Sequence, residues 1–432
     1  MRYRAEAGES RRRVYSKMTL ERRAGLAETV FLISHFELAG TTQAVVAAEF
    51  SEPLPVPRIV AGLHSLFRSQ PMLRARLAGT APNWRFTFDT SFDDVEIRTR
   101  ESGQESFAEI FATECDNILD QADGPMWRAL LVTNGGFVVA IIVAYAHAIG
   151  DGVSGISFLR QLLAGPDRVD SYPIGPAMED IMPVPAEPPA AGEGGSHLLE
   201  PTGEWPFDDV TEVCRRHTNV LLGYLDSGNL DSLLRRCRTA QVSVEAFFVS
   251  AILAVLARRV PAALSVPVIC AFDVRSELHP PVPAAEIGMY MKDLRLFDPK
   301  WAEQEDIWIR ARRIRRQVVA QRKWVVGHPE PNTPTEVYDQ IRLAADYPLK
   351  SFLFGFSIAN MGRQSAMPGL RSLYLNTTDR IGIMGFQVVL TELNGALFLT
   401  FVHVDPLVAS STIAAIRDDV IEIACSTGRP AD

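Results

Sequence analysis

Apolar residues along the chain follow two periods, one typical of helices and one typical of buried strands. In residues 58–77 they recur every three to four positions, which predicts an amphipathic helix that Pro71 ends. Residues 137–146 are β-branched and almost wholly apolar, which predicts a strand buried in the centre of a sheet. The second half repeats this mixture of patterns from residue 219 to a predicted helix near residues 409–424. The expected fold class is α/β (α+β).

One segment interrupts these patterns and divides the chain. Residues 165–206 contain nine of the 28 prolines and almost no periodicity, which is typical of a linker or crossover. A chain of 432 residues is also too long for one ordinary core, so two large domains are expected. The predicted organisation is a flexible basic leader (1–17), a first domain (18–165), a linker (166–206) and a second domain (207–432).

Composition argues against several functional classes. The net charge of -9 disfavours a nucleic-acid-binding protein, because such proteins carry basic surfaces. The five cysteines are widely spaced and form no CxxC pair, so neither a metal site nor a disulfide framework is predicted. The longest apolar run, residues 136–146, is about half as long as a membrane-spanning helix. No apolar segment follows the basic N-terminus, so we expect a cytoplasmic protein, and we expect it to be a monomer.

The candidate chemistry lies where the predicted buried strand ends. His147 is followed there by Gly150, Asp151 and Gly152. An ordinary histidine pKa of about 6.5 suits proton abstraction at neutral pH, and the glycines allow a sharp turn and the close approach of a substrate. Taken alone, this short pattern is more typical of a core histidine bonded to a backbone carbonyl than of a catalytic base.

Five short segments, in the same order, resemble those of the HHxxxDG acyltransferases, the condensation-domain and chloramphenicol-acetyltransferase-like superfamily. That superfamily includes nonribosomal peptide condensation domains, polyketide-associated acyltransferases, wax ester synthases and plant BAHD acyltransferases. In character the chain is most similar to the polyketide-associated enzymes and to free-standing condensation domains. The matching segments are residues 69–77, 124–129, 145–152, 273–281 and 356–362.

The resemblance implies a fold and a set of residue roles. The fold is two chloramphenicol-acetyltransferase-like sandwich domains, each a mixed sheet flanked by helices, with an active-site tunnel at their interface. His147 matches the second histidine of the motif, which carries the chemistry in the family, and the first histidine is Ala146 here. Asp151, Gly152 and Arg275 match structural positions, and we expect an Asp151–Arg275 ion pair to tie the catalytic turn to the second domain.

Two residues of the second half are implied candidates for the oxyanion site or the tunnel. They are Ser357 and Asn360, and an equally good interpretation is that they cap the end of a strand. A long basic helix is also predicted at residues 302–323. It could dock an acidic carrier protein or coenzyme A phosphates, but a solvated helix face is the favoured interpretation.

The activity implied by the resemblance is transfer of an acyl group from a thioester to an acceptor hydroxyl, forming an ester. The acceptor attacks directly with His147 as general base, because the sequence has no nucleophile motif such as GxSxG. The co-substrate is acyl-CoA or a phosphopantetheinyl carrier-protein thioester, the acceptor is a small-molecule, polyketide or lipid alcohol, and no metal or bound cofactor is expected. Two alternatives stay open: a free-standing condensation enzyme that forms an amide, and a catalytically silent scaffold that binds a carrier protein or metabolite.

Overall fold

A computed structural model describes most of the chain. The described residues are 21–120, 122–165, 171–183, 202–298, 301, 305–327, 333–336, 338–339, 349–365, 367 and 369–426. The expected leader and most of the expected linker lie outside these ranges, so both stay predictions.

The strands and α-helices are labelled here in chain order. The strands are β1 (Glu21–Arg23), β2 (Gln43–Pro55), β3 (Arg76–Ala78), β4 (Arg85–Thr87), β5 (Glu96–Glu101), β6 (Trp127–Asn134), β7 (Phe137–Ala146), β8 (Trp205–Pro206), β9 (His217–Leu225), β10 (Val268–Asp273), β11 (Met291–Leu296), β12 (Ser351–Phe352), β13 (Phe354–Arg363), β14 (Leu370–Thr377), β15 (Met384–Leu393) and β16 (Ala396–Asp405). The α-helices are α1 (Leu26–Phe36), α2 (Val56–Ser69), α3 (Phe107–Asp116), α4 (Gly152–Ala164), α5 (Ser227–Thr239), α6 (Val244–Arg259), α7 (Ile307–Gly327) and α8 (Ser410–Cys425).

The first sheet has β7 at its centre, in the order β14-β2-β7-β6-β5. Strand β7 pairs antiparallel with β2 and β6, and all of its residues except Phe137 and Val139 are buried. Its bounds are those that the apolar run predicts, because a strand covered on both faces needs no polar alternation. The C-terminal end of β7, which the candidate histidine directly follows, is therefore buried.

The second sheet has the order β11-β10-β13-β15-β16-β9. Strand β13 pairs parallel with β10 and β15, whereas the other pairs are antiparallel, so the sheet is mixed. Helix α6 supplies much of the core on one face, and the hydroxyl of Ser243 caps it by accepting a hydrogen bond from the Ala246 N–H (3.2 Å). Two sheets with packed helices confirm the expected fold class.

One strand of the second half belongs to the first sheet. Strand β14 pairs antiparallel with β2, with Tyr374 opposite Ala47 and Asn376 opposite Val45. The first sheet is therefore completed by residues beyond the expected linker, and its core includes side chains from both halves. The domain boundaries stay predictions, but a division of the chain at residues 166–206 does not separate the two sheets.

The basic helix predicted at residues 302–323 is α7, and several of its cations have partners within the protein. Arg313 pairs with Asp298 and Glu305, Arg322 pairs with Glu277, and Arg315 donates to the carbonyl of Gln241. Arg310 is buried and lies 3.7 Å from Glu305. At least part of the basic helix α7 therefore stabilises the second half of the chain.

Within the residues that the structure describes, no single helix is long and apolar enough to cross a membrane. Only α5 and α6 taken together, bent by 98°, have the length and composition of a membrane span. The same residues contain no cluster of three or more His, Cys, Asp or Glu side chains that could hold a metal ion.

Candidate functional site

The candidate histidine stands at the point where β7 ends. His147 is the first residue of a short 3-10 turn, His147–Ile149, and only 6% of its surface is exposed. The glycines that follow are required for space and not for an unusual backbone conformation, since Gly150 is extended with φ -172°. A Cβ at Gly150 would lie 3.1 Å from the Cβ of Ser154, and one at Gly152 would lie 2.7 Å from the sulfur of Met361.

Asp151 joins the turn to the helix that follows and to the second half of the chain. Its Oδ1 accepts a hydrogen bond from the Ser154 N–H (2.9 Å) and so caps the N-terminus of α4. Its Oδ2 accepts one from the Tyr290 N–H (3.0 Å). Arg275 binds both carboxylate oxygens, with Nη1–Oδ2 at 2.6 Å and Nη2–Oδ1 at 2.9 Å. The ion pair expected from the sequence is therefore present, in a bidentate geometry.

The ion pair lies in the interior, and each partner stabilises the ionised form of the other. The side chains of Arg275 and Asp151 are 2% and 3% exposed. Burial alone would raise the pKa of Asp151, but the charge and hydrogen bonds of Arg275 outweigh it and the pKa is lowered. Arg275 also contacts Asp273 (2.7 Å) and the hydroxyl of Ser154 (3.0 Å). Because the carboxylate of Asp151 is buried, loss of Arg275 would leave it without a cation, whereas Arg275 would keep Asp273 as a partner if Asp151 were lost.

The imidazole of His147 has an apolar surrounding. Burial lowers its pKa below the ordinary value, while the negative charge of Asp151 and its own backbone carbonyl act in the opposite direction. Its Nδ1 is buried and makes no hydrogen bond with the residues that the structure describes. The ring of Phe31 stacks on it, with centroids 4.4 Å apart and planes 11° apart. The ring is therefore neutral at neutral pH and is held by packing.

The two candidates of the second half lie on opposite faces of β13. Phe356 belongs to the core of the second sheet, whereas Met361 packs against the core of the first. By strand alternation Ser357 shares the face of Met361, and Asn360 shares the face of Phe356. The Oδ1 of Asn360 accepts a hydrogen bond from the Gly362 N–H (2.9 Å), which is a local contact at the strand end. Ser357 thus faces the first half, and the observed contact of Asn360 is the capping one.

The turn and β13 meet at one point. The side chain of Met361 lies against the backbone of Gly152, at the distance that leaves no room for a Cβ. A nearby cavity of about 10 Å³ is lined by apolar side chains that include Trp127, Tyr145 and Ile287. His147 is not among the residues that line this cavity, so the expected tunnel at the interface stays a prediction.

No protein-family model and no curated protein matches the chain, but solved structures do. Trichothecene 15-O-acetyltransferase from Fusarium sporotrichioides is 11% identical and covers 94% of this chain and 95% of its own, with a TM-score of 0.68. The condensation domain of the monacolin K polyketide synthase is 12% identical, with coverages of 94% and 96% and a TM-score of 0.66. Polyketide synthase associated protein 5 from Mycobacterium tuberculosis is 16% identical, with coverages of 94% and 99% and a TM-score of 0.64. The chain has the condensation-domain fold.

The condensation-domain fold brings into contact residues that lie far apart in the sequence. Asp151 and Arg275 are 124 residues apart, yet the fold places the segment after β10 directly on the turn after β7. Backbone groups of that segment bind the same turn, since the Asp151 N–H donates to the carbonyl of Gly288 (3.3 Å). At identities of 11–16% these similarities describe the fold and leave the reaction to the site itself.

Sequence reasoning missed three side chains that shape this site. Phe31 covers the imidazole, and the hydroxyl of Ser154 bridges Arg275 and the carbonyl of Gly288. The ring of Tyr290 lies under the guanidinium of Arg275, 4.9 Å from centroid to Cζ. Ser154 stands three residues after Asp151, where a helix-capping pattern could have drawn notice to it. Phe31 and Tyr290 are distant in sequence, and no local signal pointed to them.

Proposed function

We propose that the protein is an acyltransferase that moves an acyl group from a thioester to an acceptor hydroxyl, with His147 as the general base. The observation that carries this proposal is a neutral, buried imidazole at a strand end whose following turn is fixed by the Asp151–Arg275 pair. A general base must be unprotonated before the reaction and held at a fixed position, and both conditions apply to this ring. The likeness in fold to an acetyltransferase and a condensation domain supports the same reaction class.

In the proposed step, Nε2 of His147 accepts the proton of the acceptor hydroxyl while the hydroxyl oxygen bonds to the thioester carbonyl carbon. The C–S bond then breaks, and the imidazolium returns the proton to the leaving thiolate, which gives an ester and a free thiol. We assign the step to Nε2 because Nδ1 is fully buried. Ser357, which faces the first half, is the proposed donor to the oxyanion.

The proposed donor is acyl-CoA or a phosphopantetheinyl carrier-protein thioester, and no bound cofactor takes part. Similarity in fold to a polyketide synthase domain and to a polyketide synthase associated protein supports a donor of this chemical class. A hydroxyl is the proposed acceptor, and an amine, which would give an amide, is the alternative from the same site.

One observation favours a different function, a binding scaffold without activity. His147 is almost fully buried and Phe31 lies over one face of its ring. A scaffold needs no access to that ring, whereas an enzyme needs Nε2 to meet its substrate. The two functions are separated by whether turnover depends on His147.

The test is acyl transfer from matched donors to matched acceptors. Purified protein is given acyl-CoA or an acyl-loaded carrier protein, together with alcohols and amines of equal carbon skeleton, and intact mass reports loss of the acyl group. We expect ester formation that His147→Ala reduces by about 10²–10⁴-fold, while His64→Ala, at an exposed histidine of α2, leaves it unchanged. Amide as the main product would replace the proposed acceptor, and equal turnover by wild type and His147→Ala would exclude His147 as the base.

A further inference from the structure

The face of the second sheet that looks towards the first half of the chain is only partly covered. Strands β10 and β13 lie inside that sheet, with a paired strand on each side. On the face packed by α6 their residues are buried, as Cys270 and Ile358 are. On the opposite face Ala271, Ser357 and Ala359 are only half-buried. Solvent therefore reaches these two strands from the side of the first half.

Gln387 lies at the border of this half-buried surface. It belongs to β15 and is paired with Ser357 of β13, so the two side chains share a face on strands about 4.8 Å apart. Val389, two residues further along β15, belongs to the core that both halves form, which places this face towards the first half. Gln387 is 7% exposed, and its Nε2 is buried without a hydrogen-bond partner among the described residues.

An unpaired amide is an unfavourable choice for a residue with a purely structural role. Nearly all buried polar groups in native proteins are hydrogen-bonded, because burial removes the water that would otherwise bind them. The neighbour of Gln387 on its other side, Val402 of β16, is apolar, so an apolar residue would suit the position as well. A polar donor kept at such a place has a use if a ligand supplies the missing acceptor.

We propose that Gln387 is a substrate-binding residue, whose amide N–H donates to a carbonyl oxygen of the thioester substrate beside Ser357. The inference rests on the proposed function for the identity of this ligand. A thioester donor offers two kinds of carbonyl oxygen, the reacting one and the amide carbonyls of a pantetheine arm. Both are uncharged acceptors of the kind that an amide donor binds.

A second buried glutamine provides a matched control. Gln161 of α4 is 8% exposed, but its amide is satisfied within the protein. Its Nε2 donates to the hydroxyl of Ser157 (2.9 Å) and the carbonyl of Ala285 (2.8 Å), and its Oε1 accepts from Nε2 of Gln70 (2.9 Å). The amide of Gln161 therefore serves the folded protein, whereas that of Gln387 awaits a partner.

The first experiment compares the two glutamines without any substrate. Methionine has nearly the length and shape of glutamine but lacks the amide, so each glutamine is replaced by methionine and thermal unfolding is followed. We expect Gln387→Met to keep or raise the wild-type Tm, and Gln161→Met to lower it by a few degrees because its partners become unpaired. Gln387→Leu, which is also apolar, is read in the same way. A fall of Tm in Gln387→Met as large as that in Gln161→Met overturns the proposal.

The second experiment measures transfer to an alcohol with acetyl-CoA and octanoyl-CoA as donors. We expect Gln387→Met to lower kcat/KM by about tenfold or more although its Tm is retained. Ethanethiol esters of the same two acids lack the pantetheine arm and separate the two carbonyl sources. A loss that persists with these esters and lies in kcat assigns the reacting carbonyl. A loss that disappears with them assigns an amide carbonyl of the arm, and unchanged kcat/KM with every donor overturns the proposal.

Binding distinguishes failure of this inference from failure of the proposed function. Calorimetric titration with acetyl-CoA and octanoyl-CoA, in the absence of an acceptor, gives the Kd of wild type and Gln387→Met. Wild type that binds a donor but transfers no acyl group overturns the proposed function alone if Gln387→Met binds that donor more weakly. If such an inactive wild type and Gln387→Met bind equally, the role of Gln387 is overturned as well.

Discussion

Two buried histidines, one in each half of the molecule, show what separates a candidate base from a core histidine. His147 and His403 are 6% and 2% exposed, and burial lowers the pKa of both. In each ring Nδ1 is buried without a hydrogen-bond partner among the described residues. They differ at the other nitrogen, since Nε2 of His403 lies 2.8 Å from the hydroxyl of Ser410. The histidine of the second half is therefore tied to its surroundings through Nε2, whereas in the function proposed above Nε2 of His147 meets the substrate.

The supports of the two rings differ in the same way. His403 lies inside β16, where pairing with β9, through Asn219, fixes its backbone. His147 lies one residue beyond β7, where no ladder continues, and the buried Asp151–Arg275 pair fixes the turn instead. A reactive group placed outside regular structure needs such a substitute, because its position would otherwise vary with the loop.

The largest expected difference between the two histidines is in activity. His147→Gln should reduce acyl transfer by about 10²–10⁴-fold, because it removes the proton acceptor. His403→Gln should keep most of the activity, because the amide can still bond to Ser410. Steady-state rates of both variants, with circular dichroism to confirm folding, measure the difference. Loss of activity in both to the same degree would mean that burial, and not the motif, makes these histidines important.

The next effect concerns the support of the turn. Arg275→Ala leaves Asp151 buried without its cation and should lower the free energy of unfolding by about 3–5 kcal/mol, with activity lost alongside. Arg259 forms an equally bidentate pair with Asp419 (2.8 Å to each oxygen), but it is 41% exposed. Arg259→Ala should therefore lower the free energy of unfolding much less than Arg275→Ala does. Urea unfolding of both variants gives the comparison, and a soluble, stable and fully active Arg275→Ala would refute it.

Elements that depend on a local sequence pattern could be predicted from the sequence. Contacts between residues distant in the sequence could not be predicted from such patterns. The bounds of β7 followed from its apolar run. Strand β14 joins the first sheet across more than three hundred residues, a pairing that no local pattern encodes. The Asp151–Arg275 pair was expected only because five segments resemble a known family. Phe31 was missed because its role depends on a helix crossing a distant turn.

Burial of His403 also predicts a pH effect on stability. Burial lowers the pKa of His403 from 6.5 to about 4, so the unfolded chain binds its proton first as the pH falls. Stability is therefore lost progressively between those two values, by up to about 3 kcal/mol for this residue. His403→Gln should flatten that part of the pH dependence relative to wild type. The free energy of unfolding is measured from pH 7 to pH 4 in wild type and in His403→Gln. An equally steep loss of stability in both proteins would contradict this assignment.

The smallest expected effect tests how closely the second half approaches the turn of His147. A Cβ at Gly152 would lie 2.7 Å from the sulfur of Met361, so Gly152→Ala forces that flexible side chain to move and should cost about 1 kcal/mol, the low end for overpacking. At Gly103, where a Cβ would meet nothing within 4 Å, the same substitution should be neutral.

The double variant decides whether that contact is the cause. Gly152 is the first residue of α4, where alanine is otherwise a better helix former than glycine by about 1 kcal/mol. In a Met361→Ala background the clash is absent, so Gly152→Ala should become neutral or stabilising, which a thermal-unfolding cycle of the four proteins measures. A penalty that survives removal of the thioether would instead place the strain within the turn itself. The second half would then hold the candidate base only through Arg275, and Ser357 would lose its best structural argument for acting beside it.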